Sequence, residues 1–186
     1  MTTDEINEYL VQQIFSTDGK SEIKLMRIFS DADENMRRKL LERYIYFKAY
    51  VMDQITREVT MSHSVFQEYS CHLHAAYGVY LEEHKDKLLE QGLCPIMSQL
   101  YVMIDRFGQT GYDVKKCCHI LLADIIDEGQ LDLARRKKIC HLLAQTATDL
   151  KVGVTEHQEG AVVHGKGFAV IALIAVIGLL GAIYFL

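Results

Sequence analysis

A chain of 186 residues with 49% hydrophobic and 24% charged side chains has enough apolar material for one core and too much for a disordered polymer. Its formal net charge of −5 argues against a general nucleic-acid binder, so no nucleic-acid partner is expected. A single proline, and apolar residues recurring at three and four without sustained alternation, predict an all-α fold.

Thr2 and Glu5 form a capping box for a first helix running to about Ser16, with Ile6, Leu10 and Ile14 facing inward. Thr17-Asp18-Gly19 ends it, and a short helix over Glu22 to Phe29 follows. Ser30 or Asp31 is the expected cap of a long helix through Met36, Leu40, Tyr44, Phe47, Val51 and Ile55 to about Val59. Ser62, or Ser64 with Gln67 three residues on, restarts the chain into a helix ending at Gln91-Gly92, in which Gly78 allows close packing or a bend. Cys94-Pro95 opens the next helix, with proline at its preferred first position. Its stripe of Ile96, Met97, Leu100, Met103, Ile104 and Phe107 is the clearest amphipathic pattern in the chain, and Gly108 stops it. Further helices are predicted over Tyr112 to Asp127 and over Leu131 to Leu150, the latter with Ile139, Leu142, Leu143 and Leu150 inward. Residues 1–151 thus read as one bundle of about seven helices. Val152 to Lys166, with Gly153, Gly160 and Gly165, reads as a flexible tether of about 20 Å average reach.

Gly167 to Leu186 contains no charged side chain. At 1.5 Å per residue a helix of that length crosses a hydrocarbon core of roughly 30 Å. The expected architecture is therefore a cytosolic helical bundle followed by a single C-terminal transmembrane helix, with the lipid bilayer as partner through residues 167–186. A glycolipid-anchor signal would need an apolar secretory leader, and Met1 to Ser16 is charged and amphipathic. Lys166 suits the near edge of the span, and Tyr184 with Phe185 the far interface. The expected localisation is a bacterial inner membrane or an ER-type membrane, with the N-terminal domain cytosolic. Ala175, Gly178, Gly181 and Ala182 are the candidate residues for close packing of one span on another.

Eight histidines and five cysteines invite a metal reading. Cys71 and His74 share one helical face, and Cys118 with His119 lie on another helix, so these four are the candidate ligands. Paired zinc-finger spacings and Glu-x-x-His motifs are absent from the sequence. The cysteines are expected to stay reduced and to pack as small apolar groups, with no metal or other cofactor.

No Gly-x-Ser-x-Gly elbow, phosphate-binding loop or His-Glu-x-x-His motif appears. Arg57 to His63, and Arg135 or Arg136 to His141, resemble the R-x(4–6)-H signature of the HEPN ribonucleases, an all-helical family. That resemblance implies RNA cleavage at a dimer interface by Arg136 with His141 or Arg57 with His63. Thr60 to Ser62 is expected to break the helix between the second pair. Tyr44, Tyr46, Tyr50, Tyr69, Tyr77 and Tyr80 cluster on two successive helices, where they serve helix packing or a subunit contact. The run Arg135, Arg136, Lys137, Lys138 reads as a solvated helix face.

The function expected from the sequence is that of a tail-anchored, non-enzymatic protein whose bundle binds a protein partner or itself at a membrane. Ile96, Met97, Leu100, Ile104 and Phe107 would line any groove. An oligomeric membrane-perturbing or pore-forming effector, of the defence or cell-death type, is the alternative. A membrane-tethered HEPN-like ribonuclease is the third.

Overall fold

The computed structural model describes residues 3–17, 19–59, 63–91, 93, 97–126 and 131–163. Among the described residues the protein is all-helical: α1 (Thr3–Phe15), α2 (Lys20–Ile28), α3 (Glu34–Val59), α4 (His63–Glu83), α5 (Lys85–Glu90), α6 (Met97–Gly108), α7 (Val114–Leu122) and α8 (Leu133–Val163). The span proposed over 167–186, with Ala175, Gly178, Gly181 and Ala182, lies outside them. No helix among the described residues is long and apolar enough to cross a membrane.

Helix α3 is the hub, packed against α1, α2, α4, α6, α7 and α8. Every residue from Tyr44 to Asp53 is buried, so the middle of this helix is covered on all sides. Its aromatic side chains build the centre: Phe47 meets Phe107 of α6 edge-on at 5.6 Å, and Tyr50 stacks on the same ring at 5.7 Å. The tyrosine cluster resolves into helix packing, with Tyr44, Tyr46, Tyr50 and Tyr77 all buried.

Lys48 and Asp53 are the charged residues inside that run, and Lys48 is the more deeply buried. Its ammonium donates to the carbonyls of Gln13 and Ser16, at 3.0 and 3.1 Å, and to the Glu22 carboxylate. Lysine and glutamate are both 2% exposed, and Ser21 donates a further hydrogen bond to Glu22 at 2.8 Å. A cation placed on the last carbonyls of α1 also opposes the negative end of that helix. This pin fixes α1 and α2 on α3. A Cβ added at Gly19, which precedes α2, would meet the end of the Glu22 side chain, so a larger residue there requires that carboxylate to shift.

Several boundaries differ from the sequence expectation, each for a local reason. The cap of α3 is Asp33, whose carboxylate accepts from the Met36 amide at 2.8 Å, and not Ser30 or Asp31. Asp31 is engaged instead by Arg135 of α8 at 2.9 Å. The helix expected to run to Gln91 is divided into α4 and α5 at His84, and Gly78 lies within α4 with no described neighbour within 4 Å of where a Cβ would stand, so it is not a point of close packing. The His84 ring stacks on Tyr80 at 4.0 Å, and its Nδ1 lies 3.0 Å from the Tyr80 carbonyl, which also accepts the His84 amide at 3.0 Å. Helix α7 is shorter than Tyr112 to Asp127. Gly111 and Tyr112 are left-handed, and Asp113 caps the helix by accepting from Lys115 and Lys116. At its other end Arg43 of α3 donates to the Ile120 and Ala123 carbonyls, and Asp124 is left-handed.

The largest difference is in α8. The stretch expected as a tether from Val152 is helical as far as Val163, and Val154 is buried against the core. Residues 164–166 lie outside the described residues. Glycine costs a helix only about 1 kcal/mol relative to alanine, so Gly153 and Gly160 do not end it.

Candidate functional site

The candidates read from the sequence do not assemble into one site. Cys71 is exposed on α4, and His74 places Nε2 at 2.9 Å from the buried Asp53 carboxylate of α3. Cys118 and His119 sit on α7, and no cluster of three metal-ligating side chains exists among the described residues. Arg57 lies near the end of α3 and His63 starts α4. Arg136 and His141 are both on α8, but at about 100° per residue five positions separate them by roughly 140°, on different faces. Of the proposed groove residues, Leu100 and Phe107 are fully buried core, and Met97 and Ile104 pack on it half-buried. Ile96 lies outside the described residues. The exposed apolar residues of α6 are Tyr101 and Val102.

What the packing does create is a groove between α7 and the start of α8. Its volume is about 490 Å³, and the α7 wall carries Lys115, Cys118, His119 and Leu122. The α8 wall carries Leu133, Arg136, Lys137 and Cys140. Both walls repeat at three, four and seven, the spacing that puts side chains on one helical face. Ala123, Ile126 and Leu131 complete the lining. Leu133 stands at the lip with 68% of its surface open to solvent.

The groove is apolar within and cationic around. Burial, with the Cys140 thiol beside it, pushes the Cys118 thiol up to about 12, and burial raises Cys117 as well. These sulfurs stay protonated near neutral pH and behave as small apolar groups, neither nucleophiles nor thiolate ligands. Lys115, His119, Arg136 and Lys137 supply the polar groups, and no carboxylate is among the described lining residues. On a chain with net charge −5 this is a local inversion of sign. The basic run is thereby divided: Arg135 turns to Asp31 and the Phe29 ring, while Arg136 and Lys137 face the groove.

A second cavity, of about 470 Å³, surrounds the Lys48–Glu22 pin and is lined by Gln13, Ser21, Lys24, Gln145 and Thr146 among others. Lys48 there already has three acceptors, and Thr146 hydrogen-bonds the Tyr44 hydroxyl and donates to the Leu142 carbonyl. The buried polar groups at its centre, Lys48, Glu22 and Thr146, thus have partners within the protein. The groove residues carried a readable signal, the paired three-four-seven spacing in 115–122 and 133–140, but the cysteines were expected as core packing and the basic run 135–138 as a solvated face. Compared with known proteins, the chain matches no family model, no curated protein and no solved structure.

Proposed function

We propose that the chain is held on a membrane by residues 167–186 and uses its helical body to dock a protein partner in the α7–α8 groove. The observation that carries the reading is an open apolar groove rimmed by cations on an otherwise acidic body. The uncharged run from Gly167 to Leu186 supports the membrane attachment. Helix α8 connects the two. From Arg136 to Val163 it rises about 40 Å, which is the greatest distance it can put between the groove and its own C-terminal end. Such an arrangement works by holding a partner at a fixed distance and high local concentration.

The test is photo-crosslinking of the full chain in membranes, with a benzophenone amino acid at position 133 or, as control, at the likewise exposed Leu89 of α5. The reading predicts a discrete adduct from position 133, none from 89, and retention of the chain in the membrane pellet after alkaline carbonate washing. Equal adducts from both positions, or release of the chain by carbonate, would contradict it.

A further inference from the structure

We infer that the α7–α8 groove receives an amphipathic helix of the partner, with an apolar stripe flanked by acidic side chains. The inference rests on the docking reading and specifies the partner's chemistry. The two walls, spaced three, four and seven along α7 and α8, form the kind of channel between helices that accepts a third helix by its i, i+3, i+4 and i+7 side chains. Cys118, Leu122, Leu131 and Cys140 give that stripe an apolar bed. Cationic groups stand on both lips, with Lys115 on α7 and Arg136 and Lys137 on α8.

That distribution separates a helix from a lipid. A fatty acid carries its charge at one end and meets cations there alone. An acidic amphipathic helix carries carboxylates along both flanks of its stripe, opposite both lips.

The experiment uses the full chain in phosphatidylcholine nanodiscs and a fluorescent model peptide with leucines at i, i+3, i+4 and i+7 flanked by glutamates. The control is the same composition with the period scrambled. Fluorescence anisotropy is expected to show binding of the first peptide and at least about tenfold weaker binding of the second. The double charge reversal K115E/K137E, at two exposed positions, is expected to weaken binding at least about tenfold, with the melting temperature unchanged. Equal binding of both peptides, or indifference to the charge reversal, would overturn the inference. So would displacement of the peptide by an equal concentration of palmitate, which would make the groove a fatty-acid site. Self-association of the chain abolished by K115E/K137E would overturn it in favour of a second copy. If the peptide fails to bind while the adduct at position 133 persists, the helix inference falls and the docking reading stands; loss of both removes both.

Discussion

The protein handles charge in opposite ways in two of its regions. Between α1, α2 and α3 it buries an ammonium and a carboxylate and surrounds them with partners: two carbonyls for Lys48, and a serine hydroxyl for Glu22 besides the lysine itself. Between α7 and α8 it leaves Leu133 open to solvent beside half-buried Ala123, Ile126 and Cys140, and keeps the charged groups of the lining at the lips. Buried charge is expensive to transfer from water and is retained only when its hydrogen-bonding capacity is filled. A filled group has nothing left for a ligand. The first region therefore holds helices in place, and the second is where a partner has something to gain.

The sharpest way to break this contrast is Lys48→Met. It leaves Glu22 buried without its cation, and a loss of about 3–5 kcal/mol is expected in denaturant unfolding. Crosslinking from position 133 in the remaining folded protein should be unaffected. Phe107→Ala, at the centre of the aromatic cluster with Phe47 and Tyr50, is expected to cost a similar amount, about 3–5 kcal/mol. The same measurement made on Leu133→Ser should move stability by less than about 0.5 kcal/mol, because that side chain is already largely in water.

Alkaline titration sharpens the picture of the core. Burial raises the Tyr44 hydroxyl from 10.0 to about 12, with Thr146 and Ser21 hydrogen bonds acting the other way. A group whose folded pKa is raised contributes stability that is complete below the unfolded value and is lost as pH climbs toward the folded one. Stability is thus expected to fall between about pH 10 and 12, by roughly 2–3 kcal/mol from Tyr44 alone. Tyr44→Phe should flatten that decline when unfolding is followed by tyrosinate absorbance. Near neutral pH the same variant loses the hydrogen bond to Thr146, about 1 kcal/mol.

An effect of the opposite sign is expected at Tyr77. Its hydroxyl is fully buried without a hydrogen-bond partner among the described residues, whereas its ring packs edge-on against Phe15 at 5.7 Å. Removing an unsatisfied polar atom while keeping the ring should be neutral or stabilise by up to about 1 kcal/mol. A clear loss of melting temperature in Tyr77→Phe would mean that the hydroxyl has a partner in solution.

Most helices were legible because their apolar residues keep a three-four spacing, as Leu100, Met103 and Phe107 do in α6. The central role of α3 was not. Its buried run from Tyr44 to Asp53 has no polar face, and the stripe expected from Met36 to Ile55 accounts for only part of what is covered. Lys48 and Asp53 look like surface residues until α2 and α4 supply Glu22 and His74. The division at His84 likewise depends on a tertiary stack, Phe15 on Tyr80 on His84, that joins α1 to the α4–α5 junction. At α8 the glycines suggested an end to the helix, but the burial of Val154 and the Lys151–Glu58 ion pair act beyond the point where sequence periodicity fades. The groove was half visible: the spacing of its wall residues is in the sequence, while the pairing of one wall with the other is a property of the packed helices.

The most direct test of the central claim is the yield of the photo-adduct from position 133 in the K115E/K137E variant of the full, membrane-held chain. The account predicts an unchanged melting temperature and an adduct reduced at least about tenfold, because the groove recognises its partner partly through the charges at its lips. An undiminished adduct in a folded variant would contradict it and leave the α7–α8 groove a feature of packing alone.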